Sequence, residues 1–288
     1  MLTLARHPLR VAVLCSRRAP GLLHLLERDP GRGEHFDIAC VMTSEETCPD
    51  AIAGARHAPP VLTHPIRELY GGRPPTPVHR DAVTRRAYDW TTLDLIAPFA
   101  PDIVLLDGYL YLVTRPLLEA YPNRILNLHF SDLTIRGVDR RPTYPGIRAV
   151  RAALADGQNE TSATVHLVND QPDEGAPIVR SWSFPVSPLV SSARQWGAAD
   201  MLKAYGYAHQ EWMIRGASGP LLSAALHLVA SGVVDLDLYA GWDPAGVKPW
   251  LVDEKGRLTP PAATRLHAIL DGYKQGHPRS GRGTLKAV

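Results

Sequence analysis

The sequence has little of what stabilises secreted or membrane proteins. It carries three cysteines in 288 residues, Cys15, Cys40 and Cys48. Three cannot build a disulfide framework, and their spacing does not match a zinc site. Cys15 and Cys40 sit in apolar runs, where a thiol behaves as a small buried hydrophobe. No run of about 18 apolar residues occurs, which argues against a membrane-spanning helix, and no signal-peptide pattern is seen. Charge is nearly balanced, with 31 Lys and Arg against 29 Asp and Glu. A net charge of +2 makes no electrostatic case for nucleic acid as a partner. Internal repeats are missing as well. The expectation is a globular cytoplasmic protein without a metal, with neither nucleic acid nor membrane as a partner. A homodimer is left open.

What is present is an alternation of short apolar runs and helical stretches. Residues 10–16, RVAVLCS, read as a buried parallel strand, followed by a turn and an amphipathic helix over 22–28. Strands are expected at 37–43, 59–63, 102–106 and 124–129, with helices over 85–99 and 116–121 between them. Two glycines and three prolines in 67–80 predict a long surface loop. Pro145 and Gly146 lead into a helix ending near Gly157, and 164–168 and 178–186 read as further strands. This pattern predicts an α/β fold, a mostly parallel twisted sheet with helices on both faces. After about residue 190 the character changes. Helices are expected at 198–214 and 221–229, then strand-like pieces, VVDLDLY and KPWLV, and a frayed end over 276–288. The division expected is a catalytic unit over 1–189 with a C-terminal helical and irregular tail over 190–288.

One stretch, 124–179, concentrates the polar groups capable of chemistry. Asn127 and His129 are two apart at the end of an apolar strand, so they share a face. Asp173 lies in a Pro-Asp-Glu-Gly turn after the 164–168 strand. If those two strands are neighbours, a carboxylate comes down beside the imidazole. An Asn-x-His pair at a strand end is more often structural, and a lone D-x-G is usually a turn.

The joint pattern is more specific. N-x-H, then YPG before a helix, then G-x3-T-x2-T-V-H and D-x2-D-x-G, resembles the folate-dependent formyltransferases. The matching residues are Asn127, His129, Tyr144, Pro145, Gly146, Gly157, Thr161, Thr164, Val165, His166, Asp170, Asp173 and Gly175. A weaker similarity covers residues 10–230. The resemblance implies a Rossmann-like formyltransferase fold and transfer of a formyl group from 10-formyltetrahydrofolate, a co-substrate, to a primary amine. The acceptor it suggests first is phosphoribosylglycinamide, in purine biosynthesis and one-carbon metabolism. The alternatives are N-formylation of an amino sugar nucleotide or specialised metabolite, hydrolysis of 10-formyltetrahydrofolate, and a non-catalytic folate-binding homologue. The methionyl-tRNA type fits less well, since the tail is not strongly basic and shows no second barrel domain. Hydrolase relatives carry an extra N-terminal domain, for which the sequence shows no sign before the first strand.

Formyl transfer needs a hydrogen-bond donor to a tetrahedral oxyanion and a path for one proton. Asn127 offers an amide NH2, His129 can donate and relay near neutral pH, and Asp173 can hold the imidazolium, raising its pKa. His166 and Thr164 are expected to support them, although a core histidine remains the equal alternative for His166. The resemblance places the folate against Leu110, Tyr111, Leu112, Val168 and Asp170. It also sets Arg85 near the folate tail, where a solvated helix-surface arginine is the plain alternative.

The acceptor end departs from the family pattern. Relatives of the purine type carry a glycine- and serine-rich phosphate loop after the first strand. Here the loop reads Ser16-Arg17-Arg18-Ala19-Pro20-Gly21, and Pro20 has no N–H. A ten-residue insert, TIRGVDRRPT, follows the catalytic strand with Arg136, Arg140 and Arg141. These arginines, with Ser16, Arg17, Arg18 and Glu211, are expected to meet an anionic small-molecule acceptor. Glu211 resembles a glutamate that bonds sugar hydroxyls.

Overall fold

The computed structural model describes residues 7–16, 18–47, 52, 58–71 and 82–261. Arg17, Cys48, most of the loop expected at 67–80 and the end expected to fray lie outside them. Eleven strands are formed among the described residues: β1 Leu9–Cys15, β2 Phe36–Thr43, β3 Val61–Thr63, β4 Ile103–Leu106, β5 Ile125–His129, β6 Glu160–Thr161, β7 Thr164–Leu167, β8 Pro177–Arg180, β9 Phe184–Pro185, β10 Trp250–Val252 and β11 Leu258–Thr259. Nine of them form one sheet in the order β11-β10-β8-β7-β5-β4-β1-β2-β3. The ladders from β3 through β5 are parallel, as is β8 with β10. The pairs β5–β7, β7–β8 and β10–β11 are antiparallel. The sheet is therefore the mostly parallel one expected, with an antiparallel step beside its centre.

The strand sequences explain this arrangement. β1 and β4 lie inside the sheet and are apolar on both faces, as a strand covered by helices on two sides must be. On one face the core contains Val11, Val13, Leu126 and Leu128 with the helices Leu22–Glu27, Ala149–Ala155 and Ala199–Ala230. On the other, Ala12, Leu14, Val104 and Ile125 pack with the helices Ala82–Ile96 and Arg115–Ala120.

Four expectations need correction. The helices expected at 198–214 and 221–229 are one helix of 32 residues, with Pro220 inside it. Proline removes one backbone hydrogen bond. The buried residues Ile214, Ala217, Leu221, Leu222 and Ala225 nevertheless continue across it, and packing keeps the axis unbroken. VVDLDLY is not a strand. Asp235 accepts hydrogen bonds from the N–H groups of Asp237 and Leu238 and starts a short helix, Leu236–Ala240. The strand expected over 178–186 is split into β8 and β9, and β9 pairs with β6 in a separate two-stranded sheet. The start of the loop expected at 67–80 belongs to a short helix, Ile66–Leu69. The tail also does more than pack: β10 and β11 extend the main sheet.

Arg85 is not a solvated surface residue. It is 2% exposed, ion-paired with Asp89 at 3.0 Å, and donates to the Leu112 carbonyl at 2.5 Å. Asp89 in turn accepts from the Thr114 N–H and hydroxyl, both at 2.6 Å. Together the pair pins the loop after β4 from beneath. Asp89→Ala should leave a buried guanidinium without its counter-charge and cost about 3–5 kcal/mol. Urea unfolding should show that loss, and should show most of it recovered in the Arg85→Met, Asp89→Leu double variant.

Candidate active site

The antiparallel register of β5 and β7 sets Asn127 opposite His166 and His129 opposite Thr164. Directly opposed residues of an antiparallel pair project to the same side, as do residues two apart on one strand. Four polar side chains thus form a two-by-two patch at the end of the sheet. Asp173 reaches this patch from the loop that follows β7.

That loop is held tightly. Asp173 adopts φ 57°, the left-handed region that Asp enters more readily than most residues. Two residues on, a Cβ on Gly175 would lie 1.7 Å from the Leu167 carbonyl oxygen, so only glycine fits there. One oxygen of Asp173 accepts from the Gly146 N–H at 2.7 Å. The other lies 3.6 Å from His129 Nδ1, 3.5 Å from His166 Nε2 and 3.5 Å from Asn127 Nδ2. Burial alone would raise this carboxyl; its contacts with His166, His129 and the Gly146 N–H outweigh it and hold it well below the usual carboxylate range.

The neighbours set the tautomers. The Leu167 carbonyl, 2.9 Å away, takes a hydrogen bond from His166 Nδ1. In the neutral ring Nε2 is then bare and accepts from the Asn127 amide at 3.1 Å. His129 Nε2 lies 3.1 Å from the Tyr144 carbonyl, which also accepts from the Ser131 hydroxyl at 2.9 Å. Nε2 of His129 therefore carries a proton, and Nδ1 faces Asp173. The expected rise in the His129 pKa is corrected: burial lowers it below 6.5, and the attraction of Asp173 recovers only part of that. His129 is thus neutral at neutral pH. Thr164, fully buried, donates to the Ser131 carbonyl at 2.7 Å and holds the turn after β5.

This patch is one wall of a cavity of about 600 Å³, within the range of small-molecule sites. Leu110, Tyr111, Leu112, Val168 and Asp170 line it, together with Arg18. Several expected residues do not. Ser16 is fully buried and accepts from the Leu110 N–H at 3.1 Å, so it positions a loop and does not face the cavity. Glu211 is paired with Arg18 at 2.6 Å and Arg215 at 2.8 Å. In the insert, Arg136 donates to the Arg140 carbonyl, Arg140 pairs with Asp243, and Arg141 pairs with Glu174 at 3.3 Å. Carboxylates pair with Arg140 and Arg141, a backbone carbonyl holds Arg136, and none of the three lines the cavity.

Other residues were not expected at the site. Phe130, Ile147, Val150 and Ile214 line it, as does Gln210. Asp107, fully buried at the end of β4, accepts from the Gly21 and Leu22 N–H groups at 2.8 Å each. The one signal for it was a lone carboxylate closing an apolar strand. The apolar residues carried no signal beyond hydrophobicity.

The formyl transferase family model matches residues 9–195. Phosphoribosylglycinamide formyltransferase of Escherichia coli K12 is 35% identical over 103 residues, 36% of this chain and 44% of that one. Formyltetrahydrofolate deformylase of the same strain is 26% identical over 195 residues, 68% of this chain and 59% of that one. The matched stretch thus spans under two thirds of these curated relatives. Among solved structures, glycinamide ribonucleotide transformylase 1 of Symbiobacterium toebii superposes with TM-score 0.54 at 26% identity, covering 81% of this chain and 92% of that one.

The site predicts a pH behaviour. His129, lowered in the fold, opposes folding increasingly as pH falls below the unfolded value of 6.5. Asp173, depressed, contributes stability present above its unfolded value of 3.8 and lost as pH falls through its folded value. An NMR titration should place His129 below 6.5, and Asp173→Asn, which removes the attracting charge, should lower it further. A rise in the variant would contradict this electrostatic picture.

Proposed function

The chain belongs to the formyl transferase family, and we propose that it transfers a formyl group from 10-formyltetrahydrofolate to a primary amine. The convergence of Asn127, His129 and Asp173, with separations no longer than 3.6 Å, on one wall of an open cavity carries this reading. The amine nitrogen bonds to the formyl carbon, the bond from that carbon to N10 of the folate breaks, and one proton passes from the amine to N10. The products are a formamide and tetrahydrofolate.

Each side chain has a task suited to its surroundings. His166 takes one N–H of Asn127 at 3.1 Å; the other makes only a long 3.5 Å contact with Asp173 and can turn to the oxygen of the tetrahedral intermediate. His129, neutral and bare at Nδ1, takes the proton shed by the amine. The imidazolium so formed is satisfied on both sides, by the Tyr144 carbonyl and by Asp173. It then returns the proton from Nδ1 to the leaving nitrogen. Asp173 stays ionised throughout, because its neighbours favour the charged form.

The formyl donor fits the half of the cavity formed by the loops after β4 and β7. Tyr109, Tyr111, Val113 and Val168 continue the apolar core of that face of the sheet. A flat pterin suits such walls with backbone groups between them. Arg85 holds this wall from behind. Phosphoribosylglycinamide is the acceptor the relatives' names suggest, and a different amine is the alternative. Hydrolysis, as in the relative named a deformylase, differs in needing no amine.

Release of tetrahydrofolate from 10-formyltetrahydrofolate should depend on added amine and should yield one formamide per tetrahydrofolate. Asn127→Ala should reduce kcat about 10²–10³-fold, the cost of one oxyanion donor. Amine-independent release would instead identify a hydrolase.

A further inference from the structure

The lining of the cavity falls into two groups, according to which core of the sheet each adjoins. One continues the core that holds Tyr109 and Tyr111. The other continues the core of the opposite face, through Phe130 and Val150. If the first takes the folate, the second takes the amine. The chemistry available there limits what that amine can be.

A phosphate or a sugar needs donors and acceptors that are not already engaged. The N–H groups of Gly21 and Leu22, at the start of the helix after β1, both point at Asp107 at 2.8 Å. That internal carboxylate occupies the place an anion would need. Pro20 supplies no N–H. A Cβ on Gly21 would meet Leu222 at 2.5 Å, so the loop is pressed against the long helix and has no slack to re-aim those groups. Ser16 is sealed beneath Leu110. Arg18 is the one Lys or Arg lining the cavity among the described residues, and Glu211 neutralises it at 2.6 Å. Of the insert's arginines, Arg140 and Arg141 pair with carboxylates, Arg136 bonds the Arg140 carbonyl, and none lines the cavity. What does line this side is apolar: Pro20, Phe130, Ile147, Val150 and Ile214, with the Gln210 amide beside them.

We infer that the acceptor is an unphosphorylated primary amine with an apolar body, lodged against Phe130, Ile147, Val150 and Ile214. This rests on the formyl-transfer reading above. Apolar burial, not ionic pairing, supplies its affinity. The Arg18–Glu211 pair, with its charges matched, repels neither a neutral nor a zwitterionic tail.

Two amines with the same kind of reacting group separate the outcomes. Phenylalaninamide and phosphoribosylglycinamide both present an α-amino amide, one with an apolar body and one with a phosphorylated sugar. With the full chain and 10-formyltetrahydrofolate, kcat/KM for formamide formation should be at least tenfold higher for phenylalaninamide. Millimolar inorganic phosphate should not compete with it. Ile214→Asp should lower that kcat/KM at least tenfold while leaving KM for 10-formyltetrahydrofolate unchanged, which a misfolded protein would not do. Ile214→Ser is the milder replacement, expected to act in the same direction. Preference for phosphoribosylglycinamide, or competitive inhibition by phosphate, overturns the inference and leaves formyl transfer standing. Formation of no formamide from either amine, with tetrahydrofolate released regardless or not at all, overturns both.

Discussion

One buried carboxylate joins the parts of this site. Asp173 touches the backbone of the segment before the helix Ala149–Ala155, both histidines and the catalytic amide. Three chain segments, β5, the stretch at Gly146 and β7, meet on its two oxygens. Its ionisation survives burial because every near neighbour either donates to it or can carry positive charge. The strain of a left-handed backbone at this residue is borne by the packing around it, with the Gly175 backbone against Leu167. Loss of the carboxylate would therefore disturb the ring states of the patch as well as remove a charge.

Much of this was legible in the sequence, for definite reasons. β1 and β4 read as strands because a strand covered on both faces is apolar at every position. Asn127 and His129 read as neighbours because a strand has a period of two. The convergence of Asp173 followed from the order of the elements, once β5 and β7 were taken to lie side by side. The opposite pairing of Asn127 with His166 was not legible. An antiparallel register depends on where the intervening segment lets the chain turn, and no short pattern encodes that.

The misreadings have a common origin. Charge in a sequence says nothing about the counter-charge that folding will bring to it. Arg140 and Arg141 stood near a catalytic strand and were read as ligands for an anion, yet Asp243 and Glu174 take them. Arg85 was set near the folate tail by resemblance, with a solvated helix surface as the alternative, and its burial was not foreseen. Asp89, one helical turn on, made burial tolerable. Two helices were read at 198–214 and 221–229 where one runs through Pro220, because a single missing hydrogen bond costs less than abandoning the apolar contacts on both sides of it. Asp235 was hidden in an alternating run that mimicked a strand until its side chain capped a helix.

These distinctions bear on how the molecule divides its labour. The catalytic patch belongs to β5, β7 and one loop, and its hydrogen bonds are made within that unit, to residues 144–146 or, through Thr164, to the turn after β5. The proposed acceptor side draws on other elements as well: the loop after β1, Phe130, Ile147, the helix Ala149–Ala155 and the long helix. A substitution that alters which amine fits can therefore leave the imidazole, amide and carboxylate undisturbed. Chemistry and selectivity reside in separable parts of one cavity. For that reason the same three side chains say a good deal about the bond that is made and little about the molecule that makes it.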